Sequence, residues 1–117
     1  TSDERRLPAL MRGATGFIYY VSISGITGTK TATADNVSTA VTRIKKFTDL
    51  PIAIGFGIKT AEQAAEVARI ADAAVVGSAI IQIIAENVRE SKEFPDLLNS
   101  VLKFVTELAH GVRTARL

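Results

Sequence analysis

The hydrophobic positions of the chain follow two spacings. Short runs of consecutive apolar residues predict buried strands. These runs are 17–21, 51–54 and 73–76. Elsewhere apolar residues recur three or four positions apart, which predicts amphipathic helices. These helices are 37–47, 61–71, 79–88 and a longer one that begins at Pro95.

Polar residues at the helix starts add detail to this pattern. Thr60 and, three residues later, Gln63 form a capping box that predicts where one helix begins. Asp35 or Asn36 is expected to cap the helix before it, because a short side-chain oxygen accepts an amide of the first turn. The Gly-, Ser- and Thr-rich segment 22–35 is expected to be a loop.

The two ends of the chain are less regular. The first four residues resemble a capping box, so a helix is expected to run toward Arg12. Pro8 would fall inside that helix, which therefore either kinks there or begins later. His110 is expected at the surface, next to a helix C-cap at Gly111.

Alternating strands and helices predict parallel βαβ units, and strands this apolar are expected to be covered on both faces. Two architectures fit, an open doubly wound sheet and part of a (β/α)8 barrel. A full barrel needs about 250 residues. The chain has 117 residues, three predicted strands and no initiator Met, so residues 1–117 are expected to be incomplete as an independent unit, with two open sheet edges.

Composition narrows the possible chemistry. Fourteen basic residues against 12 acidic ones give a net charge of +2, which is too balanced for a nucleic-acid surface. The absence of cysteine excludes a disulfide scaffold and a thiol nucleophile, and it fits a cytoplasmic protein. With a single His and no Cys, a typical zinc site cannot be assembled, so no metal is expected. No apolar run is long enough to span a bilayer.

Candidate chemistry lies in the loops that follow the strands, where both architectures keep their sites. Three of these loops carry Gly, which lets backbone amides approach an anion. They are 22–28, 55–58 and 77–80. Gly77 and Ser78 lead directly into a helix, so their amides can converge on a phosphate, although such a pair is also an ordinary turn. Two such loops on consecutive units favour the phosphate interpretation over an ordinary turn. The pair Gly55-x-Gly57 does not extend to a dinucleotide fingerprint, because Thr60 occupies the position of the third glycine.

The side chains near the strands supply no obvious catalyst. Tyr19 and Tyr20 point to opposite faces of their strand, so one faces the site and the other the helices. Packing in the core is the ordinary role for either ring. Glu62, Glu66 and Asp72 belong to the third predicted helix or its end and are expected to be solvated. The sequence therefore predicts a binding site without a visible acid or base.

Four segments resemble the tryptophan synthase α chain family. The string Tyr19-x-x-Ser22-x-x-Gly25-x-Thr27-Gly28 is similar to its sixth strand and loop. Residues 50–58 are similar to its seventh strand, and residues 71–81 to its eighth strand and the short helix after it. The opening residues 1–5 are similar to the segment after its fifth strand.

The resemblance implies the C-terminal half of a (β/α)8 barrel that cleaves indole-3-glycerol phosphate to indole and glyceraldehyde 3-phosphate. It also implies a complex with a β chain. Pyridoxal phosphate would belong to that β chain, so no cofactor is expected in this chain. It places Tyr19 and Thr27 in the substrate pocket, with Tyr20 facing the helices. The substrate phosphate would be held by Gly28, Gly57, Gly77 and Ser78.

The catalytic Glu and Asp of the family belong to the N-terminal half, so no residue here takes a catalytic role and the chain alone is expected to be inactive. Loop 22–35 would close over the substrate. Ile23 stands where the family commonly has Arg, and Pro8 interrupts an expected helix.

Two other functions remain open. A half-barrel could bind phosphate ligands without catalysis and homodimerise to bury its open edges. Another phosphate-barrel enzyme, such as an isomerase of histidine biosynthesis, would need Asp at the strand ends. No Asp directly follows Val21, Ile54 or Val76, so this alternative ranks last.

Overall fold

The computed structural model describes residues 5–21, 30–55 and 57–116. In this part of the chain three strands alternate with helices, as the hydrophobic spacing predicts. The strands are β1 (Ile18–Val21), β2 (Ile52–Gly55) and β3 (Ala73–Val75). The helices are α1 (Leu7–Met11), α2 (Lys30–Lys45), α3 (Ala61–Ile70), α4 (Ser78–Arg89) and α5 (Phe94–Thr114).

The three strands form one parallel sheet in the order β1-β2-β3. Ile54 of the central strand pairs with Tyr20 on one side and Ala74 on the other. The α/β class with parallel strands is thereby confirmed.

The two faces of the sheet differ sharply. Ile52 and Ile54 are fully buried, at 0% exposure, on the face that packs against the helices. On the opposite face Tyr19, Val21 and Val75 are 54%, 52% and 37% exposed. Among the described residues, the expectation that both faces would be covered therefore holds for β2, which is buried at all four positions, and is wrong for one face of the outer strands β1 and β3. A sheet with helices on one face matches part of a barrel, whereas a doubly wound sheet carries helices on both.

The core lies between that covered face and the helices. It is built from branched side chains of the central strand and the inner faces of α2, α3 and α5. Burying one such side chain contributes about 1.5–3 kcal/mol. The residues of this core are Leu7, Val37, Val41, Ile44, Ile52, Ile54, Ile58, Ala64, Val67, Ala71 and Leu108.

The start of α3 confirms the capping box. The Gln63 amide donates to Thr60 Oγ1 at 3.1 Å, and Gln63 Oε1 accepts from the Lys59 amide at 2.7 Å. The predicted cap of α2 is wrong, because α2 already includes Lys30 and so contains Asp35 and Asn36. The apolar stripe in the sequence begins at Val37, which is buried, so the pattern located the helix from there and not its first residues.

The structure also decides the predictions about Pro8 and Gly111. Helix α1 begins at Leu7 with Pro8 in its first turn, where the missing amide costs nothing, so the later start is the one adopted. Gly111 is not a C-cap, because α5 continues to Thr114. Gly111 instead lies against the Ala61 backbone, whose carbonyl carbon would be 3.0 Å from an added Cβ.

Asp72 fastens the amino ends of β2 and β3 together. Its amide donates to the Ile52 carbonyl at 3.0 Å, and its Oδ2 accepts from the Ile52 amide at 2.9 Å. Lys45 Nζ lies 3.5 Å from the same oxygen. The hydrogen bond from Ile52 holds the pKa of Asp72 below its ordinary value; partial desolvation opposes this, and the charges of Lys45 and Arg116 support it. Asp72 is thus exposed, as expected, and also structural.

Replacing Asp72 with Asn should remove one source of pH dependence in stability. The pKa of the unfolded carboxyl is about 3.9, and the folded value is lower. The stabilisation is therefore present above the unfolded pKa and is lost as the pH falls through the folded pKa. For a partly exposed group we expect about 1 kcal/mol or less. Urea unfolding at pH 6 and pH 3 should show a smaller loss for Asp72→Asn than for the wild type.

The exposed Asp49 supplies the matched control, because Asp49→Asn removes the same charge from another surface carboxyl. If Asp72→Asn and the wild type lose the same free energy of unfolding between pH 6 and pH 3, the carboxylate contributes nothing.

Candidate functional site

The carboxyl ends of the three strands lie side by side. Val21 pairs with Gly55 and Gly55 with Val75, so the strands end at one level of the sheet. The segments that follow β2 and β3 therefore start from neighbouring positions. Both were predicted from the sequence to carry a binding site.

The amino end of α4 has amides available for a ligand. Gly77 is its N-cap, and no side chain caps it. The Gly77 carbonyl accepts from Ile80 and Ile81 at 3.0 and 3.1 Å, so the amides of Ser78 and Ala79 precede the first hydrogen-bonded turn and have no partner within the helix. Gly77 and Ser78 are exposed, and no atom lies within 4 Å of a Cβ built at Gly77.

Gly57 forms the turn between β2 and α3. Its φ is 62°, a left-handed conformation that glycine adopts without steric cost. The next residue, Ile58, is 1% exposed, so this turn sends the chain from the strand end back into the core. Thr60 and Gln63 occupy amides at the start of α3, whereas the start of α4 has no such cap. Of these two helix starts, α4 is the one open to an anion.

Tyr19 lies on the open face of the sheet, with its hydroxyl directly over Gly55. A Cβ at Gly55 would be 2.6 Å from that hydroxyl and 3.1 Å from Cε1 of the ring. Tyr20 points the other way and packs against the core. The alternation of the two tyrosines is as predicted. The role of Gly55 in making room for Tyr19 was missed, because it depends on strand register.

The remaining predicted site residues, Thr27 and Gly28, lie outside the described residues. The structure thus places Gly57, Gly77 and Ser78 just after neighbouring strands, and Tyr19 on the open face of the sheet. Segments 57–60 and 76–77 contain no Asp or Glu. Among the described residues no cluster of His, Asp or Glu could hold a metal ion. In the same part of the chain, no helix combines the length and apolarity needed to cross a membrane.

Adding a methyl group at Gly55 should disturb Tyr19. The ring must turn away from the strand, and since its far end is free to move, we expect Gly55→Ala to cost about 1 kcal/mol of unfolding free energy. In a Tyr19→Ala background the same change should cost less. Denaturant unfolding of the four proteins of this double-mutant cycle measures the coupling.

Gly13→Ala is the control for the glycine change, because no atom lies within 4 Å of a Cβ built there. Strictly additive effects of Gly55→Ala and Tyr19→Ala on the free energy of unfolding would show that the close approach of Tyr19 to Gly55 does not affect stability.

Comparison with known proteins gives consistent matches. A model of the family "Tryptophan synthase alpha chain" matches residues 1–112. A curated tryptophan synthase alpha chain from Gluconacetobacter diazotrophicus is 52% identical over 117 residues, which cover 99% of this chain and 43% of that relative. The chain thus spans about two fifths of the length of this relative.

Solved structures agree. The alpha subunit of tryptophan synthase from Legionella pneumophila superposes with a TM-score of 0.78 at 28% identity, over 97% of this chain and 39% of that one. Tryptophan synthase from M. tuberculosis, in an open form with BRD0059 bound, superposes with a TM-score of 0.74 at 30% identity. The match covers 97% of this chain and 37% of that one. The fold corresponds to part of the TIM barrel of these proteins. Because the family match extends over nearly the whole sequence, the chain belongs to the tryptophan synthase alpha chain family.

Proposed function

We propose that this chain holds the phosphate of indole-3-glycerol phosphate in an enzyme that cleaves this compound to indole and glyceraldehyde 3-phosphate. It would be the C-terminal part of one (β/α)8 domain, with β1, β2 and β3 as the sixth, seventh and eighth strands. The observation that carries the proposal is the uncapped amino end of α4, which follows the strand next to the Gly57 turn.

The available groups suit a phosphate dianion. Backbone amides at a helix start donate hydrogen bonds, and the helix dipole adds favourable electrostatic energy, so no basic side chain is required. The Ser78 hydroxyl is one further donor at the same place. Barrel enzymes often bind phosphate with the loops after their seventh and eighth strands and a short extra helix, which is the role proposed for α4. Gly57 and Gly28 complete the proposed phosphate contacts.

The open face of the sheet suits the organic part of the substrate. Tyr19, Val21 and Val75 present apolar surface beside the strand ends, and the tyrosine adds a hydroxyl. In a closed barrel this face would point inward, where strands from the rest of the domain would shield it from water. We propose Tyr19 and Thr27 as pocket residues on this basis.

Catalysis is assigned to the rest of the domain. Cleavage of the bond between the indole ring and the glycerol chain requires one group to take the proton of the neighbouring hydroxyl and another to protonate the ring carbon. The described loops after β2 and β3 carry no carboxylate for either task. We therefore propose that the chain alone binds the substrate phosphate but does not cleave the substrate.

The β chain of tryptophan synthase is the proposed partner, and pyridoxal phosphate is assigned to that partner. The cytoplasmic location expected from the cysteine-free sequence belongs to the same proposal.

The second candidate, a homodimeric phosphate-binding module, is favoured by exposed apolar side chains on the two last helices. A second copy of the chain would bury these side chains in a dimer interface. In light scattering of the isolated chain, a stable homodimer that also binds phosphate would favour this candidate, whereas aggregation would favour the first. The exposed side chains are Ile81, Ile84 and Val88 on α4 and Phe94, Leu98, Leu102, Val105 and Val112 on α5.

Substituting Gly77 with Asp should remove phosphate binding. The new carboxylate would stand among the amides that are proposed to hold the anion, so like charges would repel. We expect the affinity for inorganic phosphate, measured by calorimetry or by ³¹P NMR, to fall at least about tenfold, or roughly 1.4 kcal/mol.

Gly13→Asp adds the same charge at another exposed glycine with free space around it and should leave binding unchanged. Unaltered phosphate binding by Gly77→Asp would place the phosphate site elsewhere.

A further inference from the structure

Two arginines bind the carboxyl ends of α3 and α5 to each other. Arg116, just after α5, donates from Nε to the Ala68 carbonyl at 2.8 Å and from Nη2 to the Ala71 carbonyl at 2.9 Å. In return, Arg69 of α3 donates from Nε to the Ala115 carbonyl at 3.0 Å. Each arginine thus bonds carbonyls at the end of the other helix. We name this set of three hydrogen bonds the arginine clamp.

The chemistry of helix ends explains why arginine serves here. The last carbonyls of a helix have no partner within the helix, and the negative end of its dipole attracts a cation. A guanidinium can donate two hydrogen bonds in a fixed geometry, which an ammonium cannot. The Ala71 carbonyl that Arg116 bonds directly precedes Asp72, the residue that fastens β2 to β3, so the clamp lies next to that connection along the chain.

Helix α5 connects the clamp with the candidate site. It packs along α3 and also against α4, so its position sets how these two helices lie relative to each other. Gly111 seats α5 on the Ala61 backbone at the start of α3, and the clamp holds the other end of α3. Helix α3 follows the Gly57 turn, and α4 begins at Ser78, whose amide has no partner within the helix.

We propose that Arg116 is a positioning residue, which fixes α5 along α3 and thereby holds the start of α4 in place beside the Gly57 turn. The expected effect on phosphate binding rests on the proposed function, because it requires the phosphate site to lie at the start of α4. Its structural part concerns the start of α4 alone and can be tested without a ligand.

Arg116→Gln keeps a polar side chain but removes the charge and the two-bond geometry. We expect two effects below the melting temperature. The amides of Ile80 and Ile81, which close the first turn of α4, should exchange with solvent faster, and inorganic phosphate should bind about threefold to tenfold more weakly. Arg116→Lys keeps the charge, so its amide exchange rates and its phosphate affinity should lie between those of the wild type and of Arg116→Gln.

Arg113→Gln is the matched control, because it removes an exposed positive charge from the last turn of the same helix. It should change neither quantity. If Arg116→Gln does not fold, Arg69→Gln, which removes only one of the three hydrogen bonds, takes its place.

The outcomes separate the two proposals. A lower melting temperature of Arg116→Gln with unchanged exchange at Ile80 and Ile81 would overturn the positioning role and leave a purely structural one. A wild-type chain that binds no phosphate would overturn the proposed function, while the exchange of these amides still decides whether the clamp holds α4.

Discussion

Ile52 and Ile54 of the central strand pack against the helices on one face of the sheet, and the hydrophobic core is assembled around them. The three parallel strands pair in a register that ends them at the same level, so the loops after β2 and β3 start side by side. The same one-sidedness leaves Tyr19, Val21 and Val75 uncovered, as expected for strands that face the inside of a barrel.

The two ends of the sheet have different tasks. At the amino end, Asp72 ties β2 to β3, and the arginine clamp ties α5 to α3. At the carboxyl end, Gly57 and Gly77 expose backbone and leave the start of α4 without a cap. Barrel enzymes generally divide stability and function in this way. In this chain the division separates charged side chains, which hold the fold, from backbone amides, which are proposed to bind the substrate.

Much of the fold could be predicted from local sequence. Spacing located the strands and the main helices, and the capping box at Thr60 located the start of α3, because both are properties of neighbouring residues. The cap at Asp35 and the C-cap at Gly111 were wrong, since neither the true start of α2 nor the approach of Ala61 to Gly111 leaves a local signal. The contacts of Arg116 join residues more than forty positions apart and could not be foreseen.

The candidate site divides in the same way. Gly57, Gly77 and Ser78 were proposed because ligand sites of parallel α/β folds lie after the strands. The contact between Tyr19 and Gly55 required the register of two strands. Thr27 and Gly28 rest on the family resemblance alone.

The most direct test of the central claim, that this chain binds substrate while other residues of the domain supply the acid and base, is a reconstitution assay. The chain is mixed with the part of the Gluconacetobacter diazotrophicus alpha chain that it does not match, and indole release from indole-3-glycerol phosphate is measured. We predict turnover by the mixture and none by either part. Turnover by this chain alone would contradict the account.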